Sequence, residues 1–281
     1  MKAAEARRRL VRALSAEGIS SPGLEADLLL SFACSLAPSF ILAQPDHRLA
    51  EEDARRLDLL AGRRLRREPL QYILGEWEFY GRTLATPPGV LIPRPETELL
   101  VEKALETLPA EGGFFLDWGT GTGCIALSLL CERSALSGIA ADCNPRAIAT
   151  AWKNLGRYGL LSRCLAWHSR TPDDIPVAAG SLDMLVSNPP YIPTERLASL
   201  MEEVRHEPLS ALDGGADGAE CYRRLFAAGD RMLRSGGWML FEAGDREQVR
   251  FLEKTAPPCF RLNGIFNDMS GIPRVLVWRR V

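Results

Sequence analysis

Two short stretches of this chain carry residue types that can do chemistry. The first is SNPPYIP, residues 187–193. Pro189 and Pro190 remove two successive backbone donors, directly after LDMLVS (182–187), which reads as a buried strand. A carboxamide or aromatic amine has a nitrogen whose lone pair is delocalised, so it attacks an electrophile poorly. The Asn188 side-chain oxygen and the Pro189 carbonyl offer two acceptors for its two N–H bonds. Held that way, the nitrogen faces its electrophile, and the positive charge growing on it is stabilised. Tyr191 can lie flat against such a planar group and exclude water.

The second stretch is DWGTGTGC, 117–124, between a predicted strand and a predicted helix. Gly119, Gly121 and Gly123, with Thr120 and Thr122 between them, allow a ligand to approach the backbone where helix N–H groups are free. Cys124 stands where a dinucleotide fingerprint needs a small residue such as glycine, and no Gly-Lys-Ser/Thr ending marks an ATPase loop. The tighter GxGxG form suits a nucleoside with an amino-acid tail, which describes S-adenosylmethionine. Asp142, about twenty residues on at the end of the next strand, is placed to accept from ribose hydroxyls. No metal site is expected. The three histidines stand far apart, and the seven cysteines are odd in number and lack CxxC spacing.

The elements that must position these residues are legible from periodicity. Residues 1–75 repeat their apolar positions every three or four residues and read as a helical bundle, with Ser21 as a cap and Pro22 just inside the second helix. Residues 76–93, EWEFYGRTLATPPGVLIP, read as a hairpin linking two domains. Over 94–281, strands FFLDW, GIAAD, LDMLVS and GWMLFEAG alternate with helices, which predicts a parallel sheet covered on both faces. CFRLNGIF and PRVLVWRR then form an antiparallel hairpin closing one edge. LDMLVS is expected beside FFLDW, which places Asn188 next to the glycine loop and the bound cofactor.

The bulk properties narrow the function classes. The 281 residues have a net charge of −2, which argues against holding nucleic acid by overall charge. The basic run RRLRR, 63–67, reads as a solvated helix face, with an RNA or acidic contact as the alternative. No apolar run approaches the roughly 18 residues that cross a membrane. The Arg-rich start reads as a first helix in preference to a transit peptide. Scattered free cysteines suit a reducing cytoplasm.

With these residues in hand, the chain resembles the protein-(glutamine) methyltransferases that modify peptide-chain release factors, the HemK/PrmC group. The stretches that carry the likeness are PLQYILGEWEFYG (69–81), VLIPRPETELLVE (90–102), LDWGTGTGCIALSL, SNPPYIP, EPLSALDGGADG (207–218) and DMSGIPRVLVW. The resemblance implies a Rossmann-like α/β fold, a mostly parallel seven-stranded sheet with an antiparallel C-terminal edge, behind a small all-helical domain that helps recognise the release factor. It implies methylation of the glutamine amide nitrogen in that factor's Gly-Gly-Gln tripeptide. Carried over, Gly119–Gly123, Asp142 and Asn188 would bind S-adenosylmethionine, and Asn188, Pro189, Pro190 and Tyr191 the glutamine.

One departure stands out. Where the group has an acid followed by an aromatic near the adenine, this chain has Ser169–Arg170–Thr171. Arg94 and Glu207 have both structural and site readings, and Cys124 and Cys143 are expected to be packing residues beside the pocket. Two rivals remain at this point: an adenine-N6 methyltransferase of DNA or RNA, served by the same Asn-Pro-Pro-aromatic geometry, and a non-catalytic scaffold for translation factors.

Overall fold

A computed structural model describes residues 1–281. The chain divides into two compact units, residues 1–75 with 201–206, and residues 76–200 with 207–281.

The smaller unit is helical: α1 (Ala3–Ala16), α2 (Pro22–Cys34), α3 (Pro38–Ala43), α4 (Glu51–Leu65) and α5 (Leu70–Leu74). Leu10, Leu14, Leu29, Leu30 and Leu57 form its buried stripe. Pro22 opens α2 as predicted, but the Ser21 hydroxyl caps nothing. Three of the four arginines in the basic run are not a solvated face; only Arg66 is exposed. Arg64 is only 5% exposed and pairs with Glu25 and Glu203, Arg63 pairs with Glu68, and Arg67 pairs with Glu203. A buried guanidinium needs carboxylates to offset its lost hydration. Residues 201–206, which sequence pattern alone leaves in the larger unit, supply one of them.

The larger unit begins with a hairpin, β1 (Glu76–Phe79) and β2 (Arg82–Ala85), shorter than the predicted 76–93 stretch. Then follow α6 (Thr97–Thr107), β3 (Gly113–Trp118), α7 (Cys124–Glu132), β4 (Leu136–Asp142), α8 (Pro145–Arg157), β5 (Cys164–His168), β6 (Leu182–Ser187), α9 (Glu220–Met232), β7 (Leu233–Glu242), α10 (Arg246–Thr255), β8 (Phe260–Asn267) and β9 (Pro273–Arg280). The sheet has seven strands in the order β5-β4-β3-β6-β7-β9-β8. Its first five strands are parallel; β9 runs antiparallel between β7 and β8, so β8 forms the edge.

Successive strand residues point to opposite faces, and both faces are covered. Phe115 and Val186 join Ile125 and Leu129 of α7 in one apolar layer. Leu116 and Leu185 join Tyr222 and Phe226 of α9 in the other. Helix starts are set locally: Asn144 caps α8 by accepting from the Arg146 N–H at 3.0 Å, and Asp245 caps α10 by accepting from Gln248 N–H at 2.8 Å.

Candidate active site

Because β6 pairs directly with β3, Ser187 lies opposite Trp118, and Asn188 leaves the sheet beside Gly119. Asp142 ends β4 on the other side of β3, and Ser169–Arg170 follow β5 beyond it. Four strand ends therefore stand in a row. At about 4.8 Å per strand, Asn188 and Arg170 are separated by roughly 14 Å. A cavity of about 210 Å³ runs along this row, lined by Asn188, Pro190, Gly119, Gly121, Asp142 and Arg170 among others.

The glycine loop is held from below. Asp117, fully buried, accepts from the Thr120 hydroxyl at 2.6 Å and from the Ala126 N–H at 3.2 Å. Burial pushes this carboxyl up to about 7, and its Oδ1 has no partner. Gly119, Gly121 and Gly123 all take positive φ, at +73°, +58° and +82°. A Cβ on Gly121 would meet only open space on the cavity side, whereas one on Gly123 would crowd Ala151 at 3.2 Å. Gly121 thus leaves open space at the cavity wall, and Gly123 is a helix-packing position. Thr120 and Thr122 are buried and do not line the cavity.

Asp142 lines the cavity with a carboxylate ordered by the N–H groups of Gly121 at 2.9 Å and Asn144 at 2.8 Å. Burial raises it above its ordinary value, opposed by those donors. A carboxylate on the wall is an acceptor for vicinal hydroxyls, so this lining fits a nucleoside. Buried Asn154 of α8 ties this end together. Its amide bonds the Ala85 N–H at 2.8 Å and carbonyl at 3.1 Å, and the Thr122 carbonyl at 2.8 Å.

Asn188 is half-buried, and its Nδ2 donates to the Thr97 hydroxyl at 3.0 Å. That hydroxyl donates to the Glu242 carboxylate at 2.7 Å. Pro189 is buried behind the cavity wall. Tyr191 does not line the cavity; its ring packs on Gly244, and it borders a second, more open cavity of about 510 Å³ with Ile192, Pro193, Arg196 and Gln248. The Asn-Pro-Pro-Tyr turn therefore separates two cavities, with Asn188 on one side and Tyr191 on the other. Burial pushes the Tyr191 phenol up to about 12, so it is neutral.

The chain matches the PrmC N-terminal domain over residues 5–75 and the methyltransferase small domain over 95–215. It is 40% identical over 270 residues to the release factor glutamine methyltransferase of Nitratidesulfovibrio vulgaris, covering 95% of this chain and 91% of that one. The chain belongs to the release factor glutamine methyltransferase family. The enzyme of that name from Moorella thermoacetica is likewise 40% identical, over 96% of both chains. Among solved structures, the T. thermophilus 16S rRNA N2 G1207 methyltransferase RsmC, in complex with AdoMet and guanosine, shares the fold. It matches with a TM-score of 0.52 at 21% identity, over 73% of this chain and 50% of that one. The hMettl16 catalytic domain has the same TM-score at 13% identity, over 79% of this chain and 91% of that one. The fold is that of S-adenosylmethionine-dependent methyltransferases, and this family member is an S-adenosylmethionine-dependent protein-glutamine methyltransferase.

Several cavity residues of this methyltransferase escaped sequence reasoning. Trp118 and Asn144 sit beside predicted residues at strand ends, a position that could have marked them. Ser210 comes from the irregular segment 207–219, which carries no periodic signal, and Glu220 and Cys221 from the first turn of α9, a helix whose cavity-facing end its periodicity does not mark. Cys143 lines the cavity, while Cys124 is buried at the start of α7 and does not. Arg94 and Glu207 pair outside the cavity wall, and Glu207, 4% exposed, also accepts from the Ile92 N–H at 3.0 Å. The pair fixes the loop carrying Val90 and Leu91, which do line the cavity.

Proposed function

We propose that this enzyme methylates the side-chain amide nitrogen of the glutamine in the Gly-Gly-Gln tripeptide of peptide-chain release factors, with S-adenosylmethionine as donor. The observation that supports the reading most is the position of Asn188, beside the glycine loop and on the wall of the cavity that Asp142 also lines. In this reading Gly119 and Gly121 receive the amino-acid and sugar portions of the donor, and Asp142 accepts from the ribose hydroxyls. Thr120, Thr122 and Gly123 act indirectly, by holding the loop. When bound, S-adenosylmethionine supplies an electrophilic methyl carbon on sulfur.

The rest of the chemistry belongs to the chain. Asn188 Oδ1 and the Pro189 carbonyl accept the two N–H bonds of the substrate carboxamide, turning its nitrogen toward the cavity. Both acceptors also stabilise the positive charge that grows there, and the proton leaves afterwards to solvent. Pro189 and Pro190 hold the turn rigid. Tyr191, neutral and packed on Gly244, forms the wall along which the glutamine enters from the second cavity.

The helical unit helps recognise the release factor in this reading, and the reaction takes place in the cytoplasm. No helix is long and apolar enough to cross a membrane, and Arg63, Arg64 and Arg67 of the basic run are paired with carboxylates, so no stable nucleic-acid or membrane partner is proposed. Incubation with methyl-labelled donor plus either release factor or nucleic acid tests this directly. Label in the release factor is expected; label only in nucleic acid overturns it.

A further inference from the structure

The acceptor role of Asn188 depends on which way its amide points, because a half-turn exchanges oxygen for NH₂ with almost no change of shape. The structure contains a device that makes this choice. Ionised Glu242 can only accept, so the Thr97 proton is committed to it at 2.7 Å. The Thr97 oxygen can then only accept from Asn188, which forces Nδ2 toward Thr97 at 3.0 Å and leaves Oδ1 for the substrate.

The placement is built into the fold. Ser187 and Phe241 pair across β6 and β7, so Asn188 and Glu242 leave neighbouring strands at the same level. Thr97, at the first turn of α6, bridges them. Thr97 is 2% exposed and Glu242 1% exposed, so water does not substitute for either group.

We infer that Thr97 and Glu242 are positioning residues that hold the Asn188 amide with its oxygen toward the substrate nitrogen. The inference rests on the acceptor role proposed for Asn188. It has a consequence in pH. A protonated Glu242 donates to Thr97, freeing the hydroxyl to donate to Asn188 Oδ1. The amide then turns and offers NH₂ to a substrate NH₂, two donors facing each other.

The groups facing Glu242 are Thr97 of α6, Arg94 and Glu96 of the preceding loop, Cys124 of α7, Arg274 of β9, Tyr191 after β6 and Tyr222 of α9. Burial is the largest influence and pushes Glu242 up to about 7, with the Thr97 bond opposing it. Ionised Glu242, and with it activity, is therefore lost as pH falls through 7.

The test compares wild type, Thr97→Val, Thr97→Ser and Asn188→Ala for kcat, KM, affinity for S-adenosylhomocysteine and the pH profile of kcat. Thr97→Val keeps shape but loses both hydrogen bonds; kcat should fall roughly tenfold, the worth of one orienting hydrogen bond. KM and cofactor affinity should stay within about twofold, on the premise that Thr97 contacts neither ligand. Thr97→Ser should recover most of the loss. Wild-type kcat should fall below pH 7, and the Thr97→Val profile should be flat there. If Asn188→Ala loses turnover while Thr97→Val keeps both wild-type kcat and the acid limb, the positioning role is refuted and the acceptor role stands. If Asn188→Ala keeps turnover, the acceptor role itself fails.

Discussion

The main-chain N–H of Gly121 donates to the Asp142 carboxylate at 2.9 Å, joining the glycine loop of one strand end to the acid of the next. One group thus orders the loop and faces the cavity. Asp142→Ala should weaken S-adenosylhomocysteine binding by roughly 10- to 100-fold, the cost of losing charge-assisted hydrogen bonds. Calorimetry reads this; an unchanged affinity would remove Asp142 from the donor site.

Asn188 lies past the far side of the loop and holds no part of it. Asn188→Ala should keep cofactor-induced thermal stabilisation within a few degrees. Turnover should fall roughly 10²–10³-fold, as when one preorganised group is removed from an oxyanion hole.

Cys143 is an exposed residue on the cavity wall whose thiol is raised above its ordinary value by partial burial and by the neighbouring Asp142. Maleimide labelling of Cys143 should be slow at neutral pH, faster at high pH, and blocked by S-adenosylhomocysteine. Peptide mapping after labelling reads the protection. Labelling indifferent to the nucleoside would place the donor elsewhere.

Asp117 contributes to stability with a definite sign. Its folded value of about 7 lies above its ordinary 3.8, so the folded state holds the extra proton between the two. Stability is fully present below the ordinary value and is lost as pH rises toward 7. Asp117→Asn should flatten part of that slope in melting temperature between pH 4 and 8. An unchanged slope would mean that Asp117 ionises freely in the fold.

Glu207 clamps the loop from Ile92 to Arg94. Glu207→Ala leaves the Ile92 N–H unpaired and should cost about 1–3 kcal/mol in denaturant unfolding. Glu207→Gln should cost less, because its carbonyl oxygen can still accept that bond.

Most of the sheet was legible because its strands are short apolar runs bordered by glycine, proline or an acid; β5, CLAWH between Arg163 and Ser169, lacks such borders and gave no strand signal. LDMLVS, 182–187, matches β6 residue for residue. The positions of Asn188, Gly121 and Asp142 were legible for a related reason: they follow a buried strand, stand in a turn that favours glycine, or end a buried strand. The partners that fix them were not. Thr97 and Glu242 lie far from Asn188 in sequence and meet it only through strand order. Thr120, Thr122 and Gly123 belong to the motif, yet only the fold shows that they point inward. RRLRR looked like surface because its carboxylate partner Glu203 comes from a distant loop.

The central claim is that the turn after β6 presents a substrate carboxamide to the methyl donor. Tandem mass spectrometry of the Gly-Gly-Gln peptide, from release factor incubated with enzyme and S-adenosylmethionine, tests it most directly. One added methyl group on the glutamine side chain, absent with Asn188→Ala, is the predicted result. An unmodified glutamine under conditions where the enzyme binds its donor, or a methyl group on another residue of that peptide, would contradict it.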